Sequence, residues 1–308
     1  MHSSRQPQHA PPRSPIRGPA LPIGLAVTAI GILLAIPSPP ASGEGVEAMP
    51  APSVVQAVPE VELNAIVAND PCSEQSVIDA IAAADDSAII AAFGGGGAFR
   101  EAVAAENAPC IALDDPSHVW VVVNKARPLN PIDFVPQSLV NAPLQITTGS
   151  GEVRSDVAAA LGEMAAAAAA DGAGRIGVNN GYRSYDLQVR TYASHVNNEG
   201  QAYADAASAR AGHSEHQTGL ALDLVACAPC GGIEAFGATA QGAWVAEHAW
   251  EYGFIVRYED GETEVSGYMP EPWHVRYIGR ELAAAYHEGG YRTLEAFFGL
   301  PAAPDYLE

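Results

Sequence analysis

Positive charge is scarce in this sequence of 308 residues, which holds 15 Lys and Arg against 36 Asp and Glu and has a net charge of −21 at pH 7. Lys125 is its only lysine. A protein that binds DNA or RNA needs a cationic patch that displaces the counterions of the phosphate backbone, so the composition argues against nucleic acid as a partner. The acid excess is explained by the solubility that net charge gives to a protein.

The sequence also lacks an apolar run long enough for an ordinary membrane span. Its uncharged N-terminal stretch, Leu21–Ile36, is shorter than the roughly 20 residues that cross a bilayer. Arginines precede it, and prolines and the small residues Ala41, Ser42 and Gly43 follow it, which is the order of an export signal. We predict that 1–43 is a signal peptide or, alternatively, an uncleaved N-terminal membrane anchor. Either outcome makes the remaining chain extracytoplasmic, secreted or anchored at the cell surface.

Cysteine is rare, and the four that occur are Cys72, Cys110, Cys227 and Cys230. An even number in an exported chain favours two disulfides. We predict that Cys72 pairs with Cys110 and Cys227 with Cys230, although spacing alone does not establish the pairing. The alternative for the C-A-P-C stretch is a second metal site, which a single C-x-x-C without another Cys or His pair supports weakly.

Composition changes along the chain and divides it into segments. Residues 44–71 are rich in proline and acids and show little periodicity, which is typical of a linker. After it, apolar residues recur at helical intervals and are interrupted by Gly94–Gly97, which predicts a small helical segment bracketed by cysteines. We predict a signal peptide or anchor over 1–43, a linker over 44–71, the helical segment over 72–115, a larger domain over 116–300 and a tail over 301–308.

Short β-prone runs alternate with helical pieces in the larger domain. The β-branched run Val119–Val123 predicts a strand, and the alanine-rich stretch Val153–Asp171 predicts a long helix. Further strands are predicted in L-A-L-D-L-V, G-F-I-V-R-Y and W-H-V-R-Y-I-G. The predicted fold class is α+β, with a small, mainly antiparallel sheet, helices packed on one side of it and the N-terminal helical segment.

The stretch S-E-H-Q-T-G-L-A-L-D-L can supply two zinc ligands, His216 and Asp223. Zinc takes His, Cys and carboxylate ligands, and a catalytic site keeps a fourth position open for water. If Leu220–Leu224 is a strand, Asp223 lies on the face opposite the leucines, where an ionised carboxylate needs a cationic partner. That partner is a zinc ion or, in the alternative interpretation, an arginine.

The stretch G-Y-M-P-E-P-W-H-V-R-Y places Glu271 three residues before His274. His274 is the candidate third ligand, and Glu271 is the candidate general base for water that attacks a peptide carbonyl. Residues three apart face opposite sides of a regular strand, but Pro272 favours a strand start or a bulge, which would bring them together. In isolation, E-x-x-H is more often a surface histidine beside a solvated glutamate.

Together, S-x-H-x-x-G-x-A-x-D and the later E-P-W-H resemble the VanY-like D,D-carboxypeptidases, a family of zinc peptidases grouped with D-alanyl-D-alanine dipeptidases and lysostaphin-type enzymes. V-N-K-A-R-P-L-N-P and G-Y-R-S-Y also resemble this family, and the likeness extends over about Val119–Phe298. The resemblance implies a Zn²⁺ cofactor on His216, Asp223 and His274, with Glu271 as the catalytic base.

The resemblance implies roles for three more residues. Arg183 of G-Y-R-S-Y falls on the arginine that stabilises the oxyanion, a role suited to a fixed guanidinium. The alternative role of Arg183 is to cap a helix at the rim of the core. Ser214 and Gln188 fall on substrate-binding positions that hold the terminal carboxylate or a backbone amide.

The function implied is removal of the C-terminal D-alanine from peptidoglycan stem peptides by a zinc metallopeptidase. Both D,D- and L,D-carboxypeptidase activity fit the motifs. The alternatives are an endopeptidase that cuts peptidoglycan cross-bridges and a non-catalytic wall-binding module on the same fold, which would have lost a ligand or the base. The expected partner is the stem peptide, and a membrane is contacted only through an N-terminal anchor. The oligomeric state is left open.

Overall fold

The computed structural model describes residues 70–307. The predicted signal peptide or anchor over 1–43, and the linker as far as residue 69, lie outside the described residues. Within the described range, no helix combines the length and the apolar character needed to cross a membrane.

Three short helices form the N-terminal helical segment, whose two ends are joined by the disulfide between Cys72 and Cys110. Asp85 caps the second helix by accepting a hydrogen bond from the backbone N–H of Ala88 at 3.0 Å. The helices of this segment are α1 (Gln75–Ala82), α2 (Asp86–Ala92) and α3 (Gly96–Ala104).

The central sheet of the larger domain has five strands in the order β2, β4, β5, β7, β6. Its neighbouring strands pair antiparallel except β2 and β4, which run parallel. A separate antiparallel pair joins β1 and β3. The strands are β1 (Leu139–Asn141), β2 (Gln145–Ile146), β3 (Glu152–Arg154), β4 (Arg175–Asn180), β5 (Ala221–Cys227), β6 (Phe254–Tyr258) and β7 (Glu271–Tyr277).

The alanine-rich stretch forms the longest described helix, α4, which packs on β4 through a fully buried face that includes Leu161 and Met164. Small alanines beside these larger side chains allow close packing. The predicted α+β class is confirmed. The remaining α-helices are α4 (Ser155–Ala170), α5 (Tyr185–Glu199), α6 (Gln201–Ala207), α7 (Ala240–His248), α8 (Thr263–Ser266), α9 (Arg280–Glu288) and α10 (Leu294–Phe297).

The helical segment docks on the larger domain through α3 and α9. A Cβ atom at Gly96 would lie 2.1 Å from the carbonyl oxygen of Glu281, so the backbones approach more closely there than any side chain allows. Arg100 adds a hydrogen bond from Nε to the carbonyl of Phe297 at 2.6 Å. The segment therefore packs directly against the last helices of the domain.

The predicted strand at Val119–Val123 is wrong, because these buried residues join no sheet. The carbonyls of Val119 and Val121 accept hydrogen bonds from the Nη2 atom of Arg276 at 3.0 and 2.6 Å, and the N–H of Val122 donates to Leu113. The backbone groups are thus satisfied by a side chain and a loop rather than by a neighbouring strand.

The edge of the sheet at β6 and β7 is irregular, as Pro272 predicts. Val256 pairs with Val275, whereas Tyr258, two residues on, pairs with Glu271, so β7 carries extra residues in this stretch. The bulge turns the Glu271 side chain toward the same side as His274. This geometry lets residues three apart share one site.

Candidate metal centre

Cross-strand pairing between β5 and β7 brings together two of the three predicted ligands, because Asp223 lies directly opposite His274. Side chains of such a pair project from the same face of the sheet. The third, His216, comes from a short 3-10 helix, Glu215–Thr218, which ends at Gly219 with φ +70°. All three ligand candidates are buried.

Each imidazole presents a different nitrogen to the site. The Nδ1 atom of His216 is hydrogen-bonded to the carbonyl of Gly181 at 2.8 Å, which leaves Nε2 facing Asp223 at 3.5 Å. His274 has the opposite orientation: its Nε2 faces Glu215 and its Nδ1 lies 3.4 Å from the Oδ1 atom of Asp223. The three ligand atoms all lie within 4.8 Å of one another.

This donor set fits a zinc ion. Ligand atoms about 2.0–2.1 Å from a tetrahedral zinc lie about 3.4 Å apart, close to the two distances from Asp223 Oδ1 to the imidazole nitrogens. That Oδ1 atom is buried and has no hydrogen-bond partner, while Oδ2 accepts a hydrogen bond from the amide of Asn180 at 3.3 Å. A buried carboxylate oxygen without a donor is costly unless a cation binds it.

The charges around the site favour a cation. Burial alone would raise the pKa of Asp223, but His216 and His274 outweigh it and hold the pKa of that carboxyl well below its usual range. Burial alone would lower the pKa of His274, but the neighbouring carboxylates of Asp223 and Glu215 raise it to about 9. Burial lowers the pKa of His216. A site that draws a proton onto one imidazole is also a site that attracts a metal ion.

Glu271 stands beside the ligands, with Oε2 3.5 Å from the Nδ1 atom of His274. Burial raises its pKa to about 7, and the charge of Asp223 acts in the same direction, while His274 and Arg183 oppose them. A carboxyl with a pKa near neutrality can both accept and return a proton. The structure thus brings the predicted base together with the three predicted ligands.

Burial lowers the pKa of Arg183, and the nearby charges of Asp223 and Glu271 act in the opposite direction. Its Nη1 donates to the Oε1 atom of Gln188 at 2.9 Å, and its backbone N–H donates to the carbonyl of His216 at 3.2 Å. The bond to Gln188 therefore holds the guanidinium at the site, and the backbone bond holds the residue beside His216.

The two predicted substrate-binding residues are both buried. Gln188 lies behind Arg183, and its amide nitrogen donates to the carbonyl of Ala209 at 2.5 Å and to the hydroxyl of Ser208 at 3.3 Å. Its contacts are thus with the protein, and direct contact with substrate stays a prediction. Ser214 immediately precedes the 3-10 helix that carries His216.

The predicted cysteine pairs are both disulfides in the structure, Cys72–Cys110 and Cys227–Cys230. Cys227 ends β5, the strand that carries Asp223. With both sulfurs in a disulfide, the C-A-P-C stretch has no thiolate to bind a metal, so the alternative of a second metal site there is set aside.

Sequence reasoning missed a group of buried charges directly behind His274. Glu215 contacts that imidazole and is in turn bound by Arg257 and Arg276. The sequence does contain a signal of this group, because each arginine interrupts an apolar and aromatic strand. A guanidinium inside a core requires a carboxylate partner. Asn180 is a further residue of the site that no motif indicated.

Comparison with known proteins finds several carboxypeptidases that are similar to this chain. The sequence profile of VanY, D-alanyl-D-alanine carboxypeptidase, matches residues 150–280. The chain is 36% identical over 193 residues to the putative carboxypeptidase YodJ of Bacillus subtilis, covering 60% of this chain and 69% of YodJ. It is 35% identical over 153 residues to a D-alanyl-D-alanine carboxypeptidase of Enterococcus faecium, covering 50% of this chain and 44% of that protein.

Among solved structures, the LD-carboxypeptidase LdcB superimposes with a TM-score of 0.55 at 36% identity. The match covers 60% of this chain and 87% of LdcB. The matched region of the sequence profile includes the three ligand candidates, Glu271 and Arg183.

Proposed function

Because the chain belongs to the VanY family of D-alanyl-D-alanine carboxypeptidases, we propose that it removes the C-terminal D-alanine from peptidoglycan stem peptides with a zinc ion held by His216, Asp223 and His274. The observation that supports this most directly is the convergence of the three ligand atoms, among them a buried carboxylate oxygen that lacks a hydrogen-bond donor. A wall-binding module without activity would have no need of the intact base beside them.

When bound at these ligands, zinc would polarise the scissile carbonyl and lower the pKa of water. Glu271 accepts the proton of the attacking water and passes it to the amine of the departing D-alanine. Its position next to His274 Nδ1, at 3.5 Å, keeps the carboxylate beside the ligand set through both transfers.

Arg183 donates hydrogen bonds to the carbonyl oxygen of the substrate as that oxygen gains negative charge. A guanidinium fixed before the reaction stabilises this charge without reorganising, which is how oxyanion sites lower barriers. Gln188 keeps Arg183 in place through the 2.9 Å hydrogen bond between the two side chains. Ser214 is proposed to hold the peptide terminus.

The proposed place of action is outside the cytoplasm, where peptidoglycan is found. The two disulfides suit an oxidising compartment. We propose that 1–43 serves export or anchoring, that 44–71 is the linker, and that 116–300 is the catalytic domain with 72–115 packed on it.

The test is mass spectrometry of defined tri-, tetra- and pentapeptide stems after incubation with the purified, zinc-loaded protein. Loss of one D-alanine from the pentapeptide indicates D,D-carboxypeptidase activity, and loss from the tetrapeptide indicates L,D-carboxypeptidase activity. Glu271→Ala should abolish either release while zinc remains bound, and Glu247→Ala, at an exposed carboxylate on α7, should change nothing. Zinc-loaded protein that releases no D-alanine from any stem would refute the proposal, as would an active Glu271→Ala variant.

A further inference from the structure

A fully buried cluster of charged side chains lies behind His274 in the described part of the chain. It consists of two carboxylates and two guanidinium groups, each with a side-chain exposure of 0%. Equal numbers of opposite charges make the cluster neutral as a whole, so the attraction between neighbours offsets the desolvation cost of burying each ion. Its members are Glu215, Arg257, Arg276 and Glu295.

Glu215 uses its two oxygens for different partners. Oε1 accepts hydrogen bonds from Arg257 Nε at 2.9 Å and from Arg276 Nη1 at 2.8 Å. Oε2 lies 3.3 Å from the Nε2 atom of His274. The two arginines, approaching from β6 and β7, leave the carboxylate no freedom to turn away from the imidazole.

The arginines are themselves fixed. Arg257 makes a two-pronged contact with Glu295, at 2.8 and 3.1 Å. Arg276 donates its Nη2 to the carbonyls of Val119 and Val121. Glu215 is therefore part of a rigid support rather than a mobile side chain.

We propose that Glu215 is a positioning residue that fixes the ring of His274 with Nε2–H toward the carboxylate and Nδ1 toward the metal. This inference rests on the proposed zinc function. The other imidazole, His216, is oriented by a neutral carbonyl, that of Gly181. The two imidazole ligands thus present opposite nitrogens, and only His274 has a carboxylate behind it, an arrangement that strengthens a histidine as a metal ligand.

The first experiment compares Glu215→Gln with Glu295→Gln in the full-length protein. Both glutamates are buried and both bind Arg257, but only Glu215 reaches His274. The zinc dissociation constant, measured by competition with a chromophoric chelator, should rise about 10- to 100-fold in Glu215→Gln. It should stay unchanged in Glu295→Gln, and the visible spectrum of the Co²⁺-substituted protein should change only in the first variant. Equal zinc affinity in wild type and folded Glu215→Gln would overturn the inference.

The second experiment needs no variant and therefore decides the matter if Glu215→Gln does not fold. In the zinc-loaded protein, ¹⁵N NMR of the histidine rings should show metal on Nδ1 and a proton on Nε2 of His274, and the reverse arrangement in His216. Metal on the Nε2 atom of His274 would overturn the inference. Stem-peptide hydrolysis by the wild type is scored separately, so the proposed function can stand while the role of Glu215 falls.

Discussion

Replacing Arg276 by Met should destabilise the protein strongly, because the guanidinium is buried and makes contacts that no apolar side chain can replace. It pairs with Glu215 at 2.8 Å and donates to the carbonyls of Val119 and Val121. Removing one partner of a buried ion pair costs about 3–5 kcal/mol. Arg257 still binds Glu215 in this variant, so we expect a loss near the lower end, about 3 kcal/mol, a large fraction of the 5–15 kcal/mol typical of a domain.

The assay is urea unfolding followed by circular dichroism, with a chelator present so that metal binding does not contribute to the free energy of unfolding. Arg190→Met, at an exposed position of α5, is the control and should leave the midpoint unchanged. The double variant Glu215→Gln with Arg276→Met should lose less stability than the sum of the two single variants, because each single change leaves its partner's charge less well compensated. An Arg276→Met variant as stable as the control would refute this account of the cluster.

Removing the metal should lower the thermal midpoint of the wild type and adding zinc should restore it, because a metal present at 100 times its dissociation constant adds about 2.7 kcal/mol to stability. The thermal midpoint of a His216→Ala variant should not respond to zinc or chelator. A wild-type midpoint that a chelator leaves unchanged would contradict the metal site. Gly96→Val should destabilise the protein by about 1–3 kcal/mol, because its Cβ would meet the carbonyl of Glu281 at 2.1 Å. Gly97→Val, whose Cβ would have no neighbour within 4 Å, is the matched control in thermal unfolding, and equal midpoints for the two would refute the docking described for α3.

The ligand set could be predicted from its resemblance to the VanY family, and strand periodicity agrees with part of it. Alternation along β5 puts Asp223 opposite the leucines, and the antiparallel partner β7 then supplies His274 on the same face. The placement of Glu271 required a bulge, which Pro272 indicated. Alternation and the bulge are local rules that act within a few residues of the position they decide, whereas the pairing of β5 with β7 joins residues far apart in the chain and was not predicted.

The strand predicted at Val119–Val123 failed for the opposite reason. Its β-branched composition is that of a strand, but Arg276, far along the chain, occupies the carbonyls that a neighbouring strand would need. Composition reports how well a segment suits an extended, buried backbone. It does not report which group completes the hydrogen bonds.

Glu215 escaped prediction because its position in the sequence suggests an association with His216, its immediate neighbour. In a 3-10 turn, consecutive side chains point about a third of a rotation apart, so Glu215 and His216 face different partners. His216 supplies a ligand, while Glu215 reaches the back of His274 on β7. This 3-10 turn therefore positions both imidazoles, because it carries His216 itself and orients His274 through the carboxylate of Glu215. Its geometry is fixed by the buried arginines that bind Glu215 and by the left-handed Gly219 at its end. The precision of the metal centre thus depends on the packing of the core beneath it as much as on the ligands themselves.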